Sequence, residues 1–180
     1  MYGDTVTIFN RWRGAGGDIW YPTVLRGVNL CRDRAALARK YGSESGDRAL
    51  LNVRYEASSD GSRTSFADAN LGGRLPAATA ASLPSANIGE MFVGGKRWLS
   101  PRVWRALDEA ARAETVTFSA EEMFDFFIPG EWDGGIVHDA DYDRDGGFYG
   151  CLNRTRDDVF AVTGVDGPFV LIPHFEVTGK

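Results

Sequence analysis

Apolar positions alternate most regularly at the two ends of the chain. Thr5–Trp12 (TVTIFNRW) and Ile19–Val28 (IWYPTVLRGV) flank the linker Arg13-Gly14-Ala15-Gly16-Gly17-Asp18. Val159–Gly164 (VFAVTG) and Phe169–Val177 (FVLIPHFEV) flank Val165-Asp166-Gly167-Pro168. β-Branched and aromatic runs broken by Gly and Asp predict two terminal β-hairpins. Alternation places Val6, Ile8, Val24, Val28, Phe160, Val162, Val170 and Ile172 on inward faces. Between the hairpins, Arg32–Tyr41 reads as a short helix stopped by Gly42, with Ala35, Leu37 and Ala38 inward, and Ala49–Tyr55 as a strand. Glu90–Val93 and Arg97–Leu99 form a tight hairpin about Gly94-Gly95-Lys96. Ser100-Pro101 opens a helix carrying Val103, Trp104 and Leu107, and Thr115–Phe118 is a further strand. Ser119 with Glu122 matches a capping box and predicts a helix over Ala120–Phe127, ended by Pro129-Gly130. One helical turn is expected around Tyr149–Arg154.

These elements predict a mainly β fold, a small β-barrel or sandwich with two or three short inserted helices and a long loop. At 180 residues the chain is expected to be a single domain, 1–180, able to bury a core without disulfides. Residues 57–87 are rich in Ser, Gly, Ala, Asn and Asp and read as a flexible loop or arm. Residues 119–153 read as an insertion carrying an acidic loop. No apolar run of about 18 residues predicts a membrane-spanning helix, and the N-terminus lacks the basic-then-apolar order of a secretory signal. Cys31 and Cys151 are too few and too widely spaced for a disulfide framework and read as free thiols.

Charge is distributed unevenly. Residues 1–55 hold nine Lys and Arg against five Asp and Glu, residues 56–120 seven of each, and residues 121–180 four against thirteen. A basic first third and an acidic last third would suit packing of one copy against the next. A pI near 5.1 argues against a broad nucleic-acid-binding face.

The richest chemical run is His138–Gly147 (HDADYDRDGG). Asp141, Asp143, Asp145 and Gly146 fall at positions 1, 3, 5 and 6 of a calcium loop, but the twelfth position is Leu152 rather than Glu. A plain acidic loop is the expectation, with calcium the ion it would take if any, and no other cofactor is implied. Glu121, Glu122 and Asp125 share a face of the predicted helix and read as solvated. His174 sits in the last strand as a packed or edge residue, and no nucleophile motif accompanies either histidine, so no catalytic residue is assigned. Trp12, Trp20, Trp98, Trp104 and Trp132, with Phe124, Phe126 and Phe127, would make a carbohydrate platform only if exposed together; core packing accounts for most of them.

The segment DTVTIFNRWRGAGGDIWYPTVLRGVNL resembles the opening of tailed-phage head–tail joining proteins, the stopper or head-completion group. VFAVTGVDGPFVLIPHFEVTGK is similar to the end of the same proteins, and GEMFVGGKRWLSP resembles a middle segment of phage minor capsid proteins. Together they cover 62 of the 180 residues; the chain departs from the family over 57–87 and 118–153. The resemblance implies a small barrel subunit of a homo-oligomeric ring in the virion neck, assembled in the host cytoplasm. Its partners would be portal or adaptor and tail proteins, with double-stranded DNA passing unbound and no membrane involved. Asp139, Asp141, Asp143, Asp145, Arg11 and Arg13 are the expected lumen or interface residues. Another phage structural role, as a minor capsid or tail protein, and a calcium- or carbohydrate-binding β-module are the alternatives.

Overall fold

The computed structural model describes residues 3–42, 48–57, 91–169 and 171–180. The loop or arm expected over 57–87 lies, apart from Ala57, outside the described residues. β1 (Asp4–Gly14) and β2 (Gly17–Cys31) pair antiparallel along their length, from Asp4 opposite Val28 to Gly14 opposite Gly17. β3 (Ala49–Arg54) follows α1 (Arg34–Tyr41), which Asp33 caps by accepting from the Ala35 and Ala36 amides. β4 (Glu56–Ala57), β5 (Met91–Val93), β6 (Lys96–Trp98) and β7 (Thr115–Val116) form a small second sheet, with α2 (Pro101–Arg105) and α3 (Glu109–Ala113) between β6 and β7. β8 (Phe126–Pro129), β9 (Val137–His138), α4 (Gly147–Thr155), β10 (Phe160–Phe169) and β11 (His174–Gly179) complete the chain. The mainly β, barrel-like class expected from the sequence is the one observed.

The large sheet closes on itself. β1 pairs with β8, β8 with β10, β10 with β11, β11 with β3, β3 with β2, and β2 again with β1. Every pairing is antiparallel, so in this ring of six alternate strands run the same way. β1, β10 and β3 therefore point to one end of the barrel, here the top. The β1–β2 and β10–β11 turns both emerge there, across the barrel from each other, because β8 separates the two hairpins on one side and β3 on the other.

Closure fills the interior with Val6, Ile8, Leu25, Val28, Leu51, Val53, Phe127, Phe160, Val162, Phe175 and Val177. Outside the barrel, Phe9, Trp20, Phe126 and Ile128 pack under Phe148 of α4, and Tyr21 packs with Trp104, Leu107 and Ala111 of the α2–α3 segment. β1 and β8 are thus buried on both faces, which is why Phe126-Phe127-Ile128 is an unbroken apolar run and why Thr7, buried beside Ile8, bonds Gly130 and Trp132 through its hydroxyl.

Four expectations need correction. The helix predicted over Ala120–Phe127 is a single 3-10 turn, Glu121–Met123, followed by β8, the strand that closes the ring. Two of the predicted inward residues do not face the core: Val24 is only half-buried and Ile172 is exposed, while Leu25 points in. Gly27 causes the first shift. Its φ of +65° marks a bulge where the β1–β2 register slips between Asp4 and Thr5, and the bulge changes which face alternate residues meet. Val170 lies outside the described residues. The C-terminal turn falls after Phe169 rather than at Val165–Pro168, so β11 starts only at His174. In α1 only Leu37 is buried; Ala35 is exposed and Ala38 half-buried.

Candidate functional site

The acidic run begins on a structural residue. Asp139 Oδ1 accepts from Trp20 Nε1 at 2.7 Å and from the Phe148 amide at 2.9 Å. The second bond satisfies one of the free N–H groups in the first turn of α4, and the first ties that helix to β2. Asp139 is half-buried and engaged in these two bonds. Asp141 is exposed; the side chains of Asp143 and Asp145 lie outside the described part of the structure. Among the described residues no three His, Cys, Asp or Glu side chains converge to hold a metal ion.

Arg11 is also internal to the fold. Its guanidinium grips Asp18, with Nε at 2.7 Å from Oδ2 and a second contact from NH2, and lies over the rings of Phe124 and Trp20 at 5.1 and 5.4 Å. Arg13 reaches the other oxygen of the same carboxylate at 3.1 Å, but its side chain is 62% exposed. Asp18 is buried between them. Of the two arginines only Arg13 is presented to solvent. The basic and acidic thirds meet within one chain as well: Arg26 pairs with Glu131, and Lys40 with Glu176 at 2.6 Å.

Asp125, expected on a solvated helix face, is fully buried at a polar junction. Its Oδ1 accepts the Arg11 amide at 2.9 Å; its Oδ2 accepts Asn10 Nδ2 at 3.0 Å and the Ser119 amide at 2.7 Å. Asn10 Nδ2 also donates to the Thr117 carbonyl at 2.7 Å, and the Val162 amide donates to the Asp125 carbonyl at 2.8 Å. Burial pushes the Asp125 carboxyl up to about 7, against the pull of the three donors and of Arg105. The junction therefore stitches β1, residues 117–125 and β10 together. An acidic residue between Phe124 and the Phe126-Phe127 pair was the sequence signal for it. Glu121 and Glu122 are exposed.

The aromatic residues do not form a surface platform. Trp20 and Trp104 are fully buried, Phe126 and Phe127 likewise, and Trp12, Trp98 and Trp132 are half-buried in different places. Cys31 and Cys151 are free thiols.

What the surface does present is apolar. At the tip of the β10–β11 hairpin, Leu171 is 97% exposed, Ile172 60% and Phe169 41%. They are the exposed large hydrophobic residues among those described, and they sit together. The tip is braced. Tyr55 donates from its hydroxyl to the Phe169 carbonyl at 2.9 Å and from its amide to the Pro173 carbonyl at 3.3 Å. The His174 ring stacks on Phe169 at 4.8 Å, and its Nδ1 donates to the Ile172 carbonyl at 2.6 Å. This end of the barrel is the candidate interface. No helix among the described residues is long and apolar enough to cross a membrane. The chain matches no family model, no curated protein and no solved structure.

Proposed function

We propose that the chain is a structural virion protein of a tailed phage or prophage: a stopper-like head–tail connector, assembled as a homo-oligomeric ring between portal and tail. Its role is to dock the tail and help retain packaged DNA, and it calls for no catalysis. The observation that supports this reading is the place of the two hairpins that carry the resemblance. Both are walls of one closed barrel, and the C-terminal one carries exposed Phe169, Leu171 and Ile172, apolar side chains suited to burial against another subunit. The exposed Asp141 suits a surface facing DNA that must slide rather than stick, since like charges repel.

The test is made on particles. Mass spectrometry of purified virions should find the chain in several copies per particle. Deletion of its gene should leave DNA-filled heads that lack tails, or heads that have lost their DNA. Infectious particles of normal shape formed without the chain would end the proposal.

A further inference from the structure

The chain has three lysines, Lys40, Lys96 and Lys180, and Lys96 is placed unlike the others. Lys40 and Lys180 are exposed, and the Lys40 ammonium is held by Glu176 at 2.6 Å. Lys96 opens β6, directly after the Gly94-Gly95 turn that rests on β2. Its side chain is half-buried in the seam between the second sheet and β2, where Nζ donates to the Pro22 carbonyl at 3.1 Å. That neutral oxygen is its one hydrogen-bond acceptor, and no carboxylate among the described residues makes an ion pair with it. Strand register supplies the one charge that acts on it. β6 and β7 pair in parallel with Arg97 opposite Thr115, which brings Glu114, half-buried at the end of α3, alongside Lys96. Glu114 favours the ammonium from a distance, but withdrawal from water outweighs it and lowers the Lys96 amine from 10.5 to about 8.

We infer that Lys96 is the nucleophilic amine of this chain, a modification site that takes an acyl group from a thioester. A half-buried ammonium with one neutral acceptor gives up its proton readily, and only the neutral amine attacks. Because the side chain is half-buried rather than enclosed, a small donor can still reach it. Nζ adds to the thioester carbonyl carbon; the C–N bond forms, the C–S bond breaks, and the thiol leaves with the proton that nitrogen sheds. Nothing is oxidised or reduced. The product suits the seam, since an amide is neutral and its N–H can still donate to the Pro22 carbonyl. A carbamate would instead set an anion beside Glu114, and a protonated imine would restore the buried cation. The inference stands apart from the virion role.

The experiment treats the folded full chain with limiting S-phenyl thioacetate and follows each lysine by peptide mapping from about pH 6 to about pH 10. Thioesters formed on Cys31 and Cys151 are reversed with dithiothreitol before mapping. At pH 7 roughly a tenth of an amine titrating near 8 is neutral, against well under a thousandth of an ordinary lysine. Half-burial takes back part of that advantage, so Lys96 should be acylated at least about tenfold faster than Lys40 and Lys180. Its rate should level off by about pH 9 while theirs still climb. Glu114→Gln removes the one charge that favours the ammonium, so labelling of Lys96 at pH 7 should rise about twofold and level off at lower pH. Circular dichroism checks that this variant stays folded; if it does not, the wild-type profile decides alone. In concentrated urea the three lysines should react alike. Labelling of Lys96 no faster than Lys180 at pH 7 overturns the inference. So does a Lys96 rate that still climbs with theirs at pH 10. So does an advantage that persists in urea, which would belong to the local sequence and not to the seam.

Discussion

Every hydrogen bond to the Asp125 carboxylate comes from a donor, yet the group is wholly withdrawn from water. These two facts pull its protonation in opposite directions, and burial outweighs the donors: the carboxyl rises from its ordinary 3.8 to about 7. Between those values the native state keeps a proton that the unfolded chain has released. The stability this group contributes is therefore full below about pH 4 and is lost as the pH rises through about 7, by roughly 3–5 kcal/mol over the window. In Asp125→Asn the side chain no longer titrates, but one of the three donors loses its acceptor, at a cost of about 1–3 kcal/mol. Melts of both proteins should show the variant less stable at pH 5 and the gap closing by pH 8. A gap that does not change with pH would show that Asp125 is ionised in the folded protein throughout. The phenylalanines on either side of Asp125 were the one local sign of this burial. Ser119 and Glu122 have the spacing of a capping box, and that pattern put Asp125 on a solvated helix. The long-range bonds to Asn10 and Arg11, more than 110 residues away in sequence, decide otherwise.

At the scale of elements, the sequence was most informative where local rules and tertiary packing agree. β1, β2, α1 with its stop at Gly42, and the β5–β6 hairpin all lie within a few residues of their expected places. It misled where one feature outweighed the period. The Gly27 bulge turns Leu25 inward in place of Val24, and β8 hides inside a helix-like pattern because Phe126-Phe127-Ile128 is buried on both faces and so lacks alternation. The β5–β6 turn shows how closely such elements are fitted. Gly94 and Gly95 have φ of +57° and +76°, as a two-residue hairpin turn of this hand requires. A methyl group on Gly95 would meet open space. One on Gly94 would lie 2.8 Å from Leu25 Cδ2 and 3.0 Å from the Val24 carbonyl oxygen, because the turn rests directly on β2. Gly95→Ala should thus cost only the left-handed backbone strain, about 1–2 kcal/mol. Gly94→Ala adds a clash worth about 1–3 kcal/mol more. Urea unfolding of the two variants measures the difference, and equal losses would mean that the second sheet can lift off β2 without cost.

At the scale of the molecule, the fold depends on a ring that the last segment closes. β10 and β11 fill the gap between β8 and β3, and they bring Phe160, Val162, Phe175 and Val177 into the interior. Without them β8 and β3 become open edges bordering an uncovered apolar core, the arrangement most prone to pair with other chains. A closed barrel was one of two architectures compatible with the sequence, since alternation identifies a buried face but not which strands meet. Closure became decidable only through β8, the strand the sequence hid. The consequence can be measured by cutting the chain at exposed Arg156–Asp157, where the connection from α4 to β10 runs over the surface. Fragment 1–156 alone should show no cooperative melt and should aggregate. Expressed together with 157–180, it should recover a cooperative transition and the near-ultraviolet signal of the packed Trp20 and Trp104, because the missing piece is a complete hairpin that pairs on both sides. Should 1–156 melt cooperatively by itself, the remaining strands and the outer clusters around Phe9 and Trp104 would be sufficient for folding. The C-terminal hairpin would then be an appendage to the fold, and its apolar tip a docking arm free to move.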